Sequence, residues 1–134
     1  MVKITEMEDD KLKKITKVLK ALSDESRIRI VNLLQSRTGV CVCEIREIIN
    51  LSQPTISSHL KKLEEANIIN FRKDGLWVNY YLNERMDPGT RELVSLIVKS
   101  IESDPDTRRD LQKIKIIDRM LICCKKINGQ IKQL

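Results

Sequence analysis

Four cysteines carry the most reactive chemistry in this chain: Cys41 and Cys43, one residue apart, and the adjacent pair Cys123 and Cys124. A thiolate is both a nucleophile and a soft metal ligand, and thiophilic ions select it over oxygen or mixed donor sets. No Cys-x-x-Cys redox motif is present, and His59 is the sole histidine, so a histidine-rich zinc, nickel or cobalt site is not expected. Nor is there a paired nucleophile and base, or a phosphate loop among the 4 glycines. The reading is therefore not an enzyme, and no organic cofactor is expected.

A second constellation is polar. Gln53, Thr55, Ser57, Ser58, His59, Lys61 and Lys62 interleave with Ile56, Leu60 and Leu63, which recur at helical spacing. A helix that reads DNA needs an apolar stripe to anchor it and an opposite face of short donors and acceptors. Gln53, Thr55, Ser57 and Ser58 can reach base edges or phosphates. Lys61 and Lys62 suit backbone phosphates, as do Arg72 and Lys73 further along. His59, beside the apolar stripe, is either a packing and hydrogen-bonding residue or a DNA contact.

These residues need elements to hold them. Leu12, Ile15, Val18, Leu19 and Leu22 mark an amphipathic helix over about Asp9 to Leu22, and Ser23 is expected to cap a second helix carrying Ile30, Leu33 and Leu34. After a break at Ser36-Arg37-Thr38-Gly39, Val42 to Ile49 is helical, so Cys41 and Cys43 fall at a helix start. Positions two apart on a regular helix diverge, but an irregular start lets them converge, and the helix N-terminus favours thiolate. Asn50-Leu51-Ser52 forms a turn, with Ser52 capping the polar helix and Pro54 in its first turn.

Ile68 to Arg72 and Leu76 to Leu82 are strand-like, and Lys73-Asp74-Gly75 supplies the turn between them. Helices starting near Asp87-Pro88 and Asp104-Pro105 follow. The second of these carries Leu111, Ile114, Ile117, Leu121 and Cys124. The expected fold is one domain over 1–134, mainly α with a small β-hairpin. It is a winged helix-turn-helix (helix-turn-helix about 42–65, wing about 68–82) with an extra N-terminal helix and C-terminal helices over about 88–127.

The composition agrees. The chain has 134 residues, 41% of them hydrophobic, which allows one real core. Its 25 basic against 19 acidic residues give a net charge of +6, which favours a polyanionic partner. Met1 to Lys14 is charged and lacks the apolar stretch of a signal peptide, and no apolar run is long enough to span a membrane. The expected compartment is the cytoplasm, without membrane association. Thiols stay reduced there, so the cysteines read as ligands or redox switches rather than structural disulfides.

Several stretches resemble the ArsR/SmtB family of metal-sensing repressors: Ala21-Leu22-Ser23-Asp24-Glu25-Ser26-Arg27, Cys41-Val42-Cys43-Glu44-Ile45, and Leu51-Ser52-Gln53-Pro54-Thr55-Ile56-Ser57-Ser58-His59-Leu60. The wing, Arg72-Lys73-Asp74-Gly75-Leu76-Trp77-Val78-Asn79-Tyr80-Tyr81, does so too. The similarity runs in order over about Leu19 to Asn83. It implies a homodimer built from the first and last helices, with each protomer presenting its polar helix to half of an operator in double-stranded DNA. Binding of a metal ion would weaken that affinity.

The Cys-x-Cys resembles the family's arsenite, cadmium and lead sensors. Arg46 stands where one version of the arsenite motif has a third cysteine. Trivalent arsenic prefers three sulfurs, so Cys123 or Cys124 is expected to complete the site, within or between protomers. Arsenite or antimonite ranks first as inducer, with cadmium or lead as the alternative. Two other readings stay open: a redox repressor that uses the same thiols, and a winged-helix protein-interaction module that binds no DNA.

Overall fold

The computed structural model describes residues 2–117 and Ile122, with side chains from Asp10 onward. Six helices and three strands follow in the order α1 (Val2–Ala21), α2 (Glu25–Ser36), β1 (Val40–Cys41), α3 (Val42–Ile49), α4 (Gln53–Glu65), β2 (Ile69–Asp74), β3 (Trp77–Leu82), α5 (Pro88–Ser100) and α6 (Pro105–Ile116). The fold is mainly helical, with a small antiparallel sheet in the order β1-β3-β2.

The apolar stripes meet in one core. Ile30, Leu33, Ile45, Ile56, Leu63 and Ile68 are completely buried, and Ile48 and Leu60 nearly so. Each such side chain contributes about 2 kcal/mol relative to leaving it in water. Ser52 caps α4 by accepting from the Thr55 N–H, and Asn50 turns the chain between α3 and α4 at φ 60. Asparagine tolerates that left-handed conformation better than most residues. The turn between β2 and β3 is tight: Asp74 pairs with Trp77, leaving only Gly75 and Leu76 in the loop, with Gly75 at φ +64.

α1 begins at Val2 rather than about Asp9, the hairpin loop is Gly75-Leu76 rather than Lys73-Asp74-Gly75, and three further features differ from the sequence expectation. Asp24, not Ser23, caps α2: its carboxylate accepts from the Arg27 N–H at 3.1 Å, while the Ser23 hydroxyl donates to the Lys20 carbonyl that ends α1. Both residue types are good caps, and the register of α2 decides between them.

Secondly, Val40 and Cys41 form a third strand, opposite Tyr80 and Asn79 of β3. Two residues are too few to show alternation in sequence, and the pairing exists only through the tertiary fold.

Thirdly, the helix that starts at Pro105 stops at Ile116, with Ile117 extended, so it is not continuous through to Cys124. Ile114 is buried in the core and Ile116 is 84% exposed, while Ile117, in extended backbone just past the helix, still packs against the core. Leu121, Cys123 and Cys124 lie outside the described residues.

A buried ion pair docks α6. Arg29 of α2 donates two hydrogen bonds, each 2.8 Å, to the Asp110 carboxylate, which is almost completely buried. This fork geometry is what lets a carboxylate sit in a core.

Candidate DNA interface and thiol site

On α4, Ile56, Leu60 and Leu63 point into the core, and Gln53, Thr55, Ser57, Ser58, Lys61 and Lys62 are exposed. The sequence-derived polar face is therefore one continuous surface. Arg72 and Lys73 are exposed on β2, next to the hairpin loop.

The wing is internally braced. The Arg72 guanidinium lies 4.6 Å over the Tyr81 ring and donates to the Tyr81 hydroxyl at 2.9 Å. It also pairs with Asp74 at 3.5 Å, and Asp74 accepts from Asn79 Nδ2 at 2.9 Å and from the Tyr81 hydroxyl at 3.2 Å. The Asn79 hydrogen bond leads the effects that hold the Asp74 carboxyl below its ordinary range. Arg72 is thus an oriented cation, where sequence alone suggested only an exposed one.

His59 is half-buried, and its surroundings were not legible in sequence. Arg27 of α2, itself buried, donates Nε to the Ala21 carbonyl at 2.6 Å and Nη2 to the Lys20 carbonyl at 3.4 Å. Its Nη1 lies 3.2 Å from His59 Nδ1 and 3.9 Å from Asp24. Burial lowers the His59 pKa, and the Arg27 and Lys62 charges add to that while Asp24 opposes it. Asp24 is itself partly desolvated, but the Arg27 hydrogen bond and charge outweigh this and lower its pKa. The charged sequence Asp24-x-x-Arg27 was the only available signal for this cluster.

At the other end of the helix-turn-helix lie the two described thiols. Cys41 is buried and occupies the N-cap of α3, and Cys43 is half-buried in its first turn; neither forms a disulfide. A capping box joins Cys41 to Glu44, whose Oε1 accepts from the Cys41 N–H at 3.1 Å. Glu44 is completely buried and paired with Arg37, which also donates to the Gly39 carbonyl at 3.4 Å. Gly39, at φ +78, abuts the Tyr81 ring so closely that a Cβ would lie 3.2 Å from it.

The thiol segment therefore touches both α4 and the wing: α3 packs on α4, and β1 pairs with the wing strand β3. The chemistry of Cys41 and Cys43 suits two positions of a thiolate site. Among the described residues, no group of three or more His, Cys, Asp or Glu side chains is placed to hold a metal. The two other cysteines expected there lie outside the described residues.

A helix-turn-helix followed by a braced basic hairpin defines a winged-helix DNA-binding protein. The description "bacterial regulatory protein, arsR family" matches residues 24–70. The chain is 36% identical over 101 residues to the arsenical resistance operon repressor of Bacillus subtilis, covering 74% of this chain and 96% of that one. It is 40% identical over 70 residues to the cadmium resistance regulatory protein CadC homolog of Staphylococcus aureus, covering 52% and 58%. Among solved structures, reduced HlyU from Vibrio cholerae superposes with TM-score 0.59 at 28% identity, covering 71% of this chain and 95% of that one.

The chain belongs to the arsR family of bacterial regulatory proteins. It is a winged-helix transcriptional repressor rather than an enzyme. No described helix is long and apolar enough to cross a membrane.

Proposed function

We propose that the chain is a cytoplasmic, homodimeric repressor that binds operator DNA and is released by a thiophilic ion, arsenite or antimonite before cadmium or lead. Gln53, Thr55, Ser57, Ser58 and His59 face the bases and nearby phosphates, and Lys61, Lys62, Arg72 and Lys73 neutralise phosphates. Cys41 and Cys43 supply two thiolates, with Cys123 and Cys124 as the source of the rest. Leu12 and Leu19, one heptad apart on α1, and Leu96 on α5 are each more than half exposed, and they offer an apolar surface to a second protomer.

The observation that carries this reading is the position of Cys41. Its thiol is buried at the cap of α3, on the strand paired to the wing. An ion that needs this sulfur must draw it out of the cap and so disturb the Glu44 box, the start of α3 and the β1–β3 pairing. The ion therefore binds best to a conformation in which α4 and the wing are displaced, and it lowers DNA affinity by that same preference.

The test is anisotropy of a labelled duplex from the upstream region with reduced protein under anaerobic conditions. Arsenite at near-stoichiometric amounts should release the wild type and not the Cys41→Ser, Cys43→Ser double variant. Tight binding indifferent to every thiophilic ion would defeat the reading. Release by an oxidant alone would favour a thiol-redox switch, for which the half-buried Cys43 is the accessible sulfur.

A further inference from the structure

We infer that Arg27 is a positioning residue for DNA binding: it fixes His59 as the Nε2–H tautomer, so that the ring offers a hydrogen-bond donor to the DNA. This inference rests on α4 being the DNA-reading helix. The Arg27 guanidinium can only donate, so the Nδ1 that it faces at 3.2 Å must be an unprotonated acceptor. A neutral ring then carries its proton on Nε2, at the far edge from Arg27.

Arg27 has little freedom to do otherwise. It is buried, and its other nitrogens are committed to the Ala21 and Lys20 carbonyls at the end of α1. The charged groups acting on the ring are Asp24 at the N-cap of α2, Arg27 of α2 and Lys62 from its own helix. Protonating Nδ1 would set one N–H against another, and burial together with both cations opposes the added charge, leaving Asp24 as the only favourable partner among these. On α4, Thr55 precedes His59 by four residues and Lys62 follows by three, so all three share one face; Thr55 and Lys62 are exposed. The donor edge therefore belongs to the face assigned to DNA. The same contact ties the last turn of α1 to the middle of α4, so a shift of α1 would be felt at the DNA-reading surface.

The test has two arms. The first is long-range ¹⁵N–¹H correlation NMR of the free protein, which distinguishes the tautomers. The second is DNA affinity of His59→Gln, whose amide can replace the Nε2 donor, and of His59→Asn, which keeps an acceptor near Nδ1 but does not reach as far. We expect the Nε2–H form in wild type. We also expect affinity within about threefold for His59→Gln and a loss of about tenfold for His59→Asn, the order of one hydrogen bond. Arg27→Lys should mix the tautomers; if that variant does not fold, the wild-type spectrum and the two His59 variants still decide the question.

An Nδ1–H tautomer overturns the inference whatever the DNA result. Unchanged affinity in His59→Asn while a Ser57→Ala, Ser58→Ala variant binds weakly also overturns it, and leaves α4 as the reading helix. A wild-type protein that binds no duplex overturns both.

Discussion

Glu44 sets the environment of the thiol site. Its buried carboxylate holds the Cys41 N–H and is neutralised by Arg37, so the Cys41 sulfur is fixed within a closed polar cluster. Cys41→Ala should cost about 1–2 kcal/mol in urea denaturation, because it removes the side chain that completes the capping box of α3. Cys43→Ser, half-exposed, should cost less than about 0.5 kcal/mol. A Cys41→Ala effect no larger than that of Cys43→Ser would contradict the buried cap.

The charge cluster at Arg27 sets a pH dependence. His59 has a folded pKa below its ordinary 6.5, so the unfolded chain takes up a proton that the folded chain resists. Stability should be full above about pH 6.5 and fall as the pH drops toward the folded value, where the loss levels off. Asp24, also depressed from 3.8, contributes stability above that pH, which is lost as acid carries it through its folded pKa. Thermal melts of His59→Gln should lack the upper decline and keep the lower one. Sequence exposed the candidates Cys41, Cys43 and His59 by type and spacing. It could not show that His59 faces Arg27, because residues 32 positions apart meet only in the fold.

At the scale of elements, the helix-turn-helix and wing were legible because their signals are local. Ser52 with Pro54, the Ile56-Leu60-Leu63 stripe and the Asp74-Gly75 turn each state a conformation within a few residues. The features that were not legible depend on distant partners. β1 exists because β3 lies beside it, and α6 is docked by packing on α2 and α3, far away in sequence. The Arg29–Asp110 pair is the clearest long-range tie, joining α2 to α6. Asp110→Ala should destabilise the protein by about 3 kcal/mol, since it strands a partly buried guanidinium, and α6 should lose hydrogen-exchange protection first. A change under about 1 kcal/mol would mean that α6 is held by its apolar contacts alone.

At the scale of the whole molecule, the net charge of +6 and the exposed leucines on α1 and α5 bear on what it meets. The affinity for operator DNA should fall steeply with salt, as expected when Lys61, Lys62, Arg72 and Lys73 displace counterions. Sedimentation should show a dimer that a Leu12→Glu, Leu19→Glu variant weakens; an unchanged dimer would place the interface elsewhere. Ion binding at the thiols and DNA binding at α4 and the wing should oppose one another through the start of α3.

Linkage makes that opposition quantitative, because the factor by which the ion weakens DNA binding must equal the factor by which DNA weakens ion binding. The most direct measurement is an anaerobic arsenite titration of the free protein and of its operator complex, followed by thiolate absorbance. The expected result is weaker arsenite binding in the complex, by the same factor that arsenite lowers DNA affinity. Equal arsenite affinity with and without DNA would contradict the account.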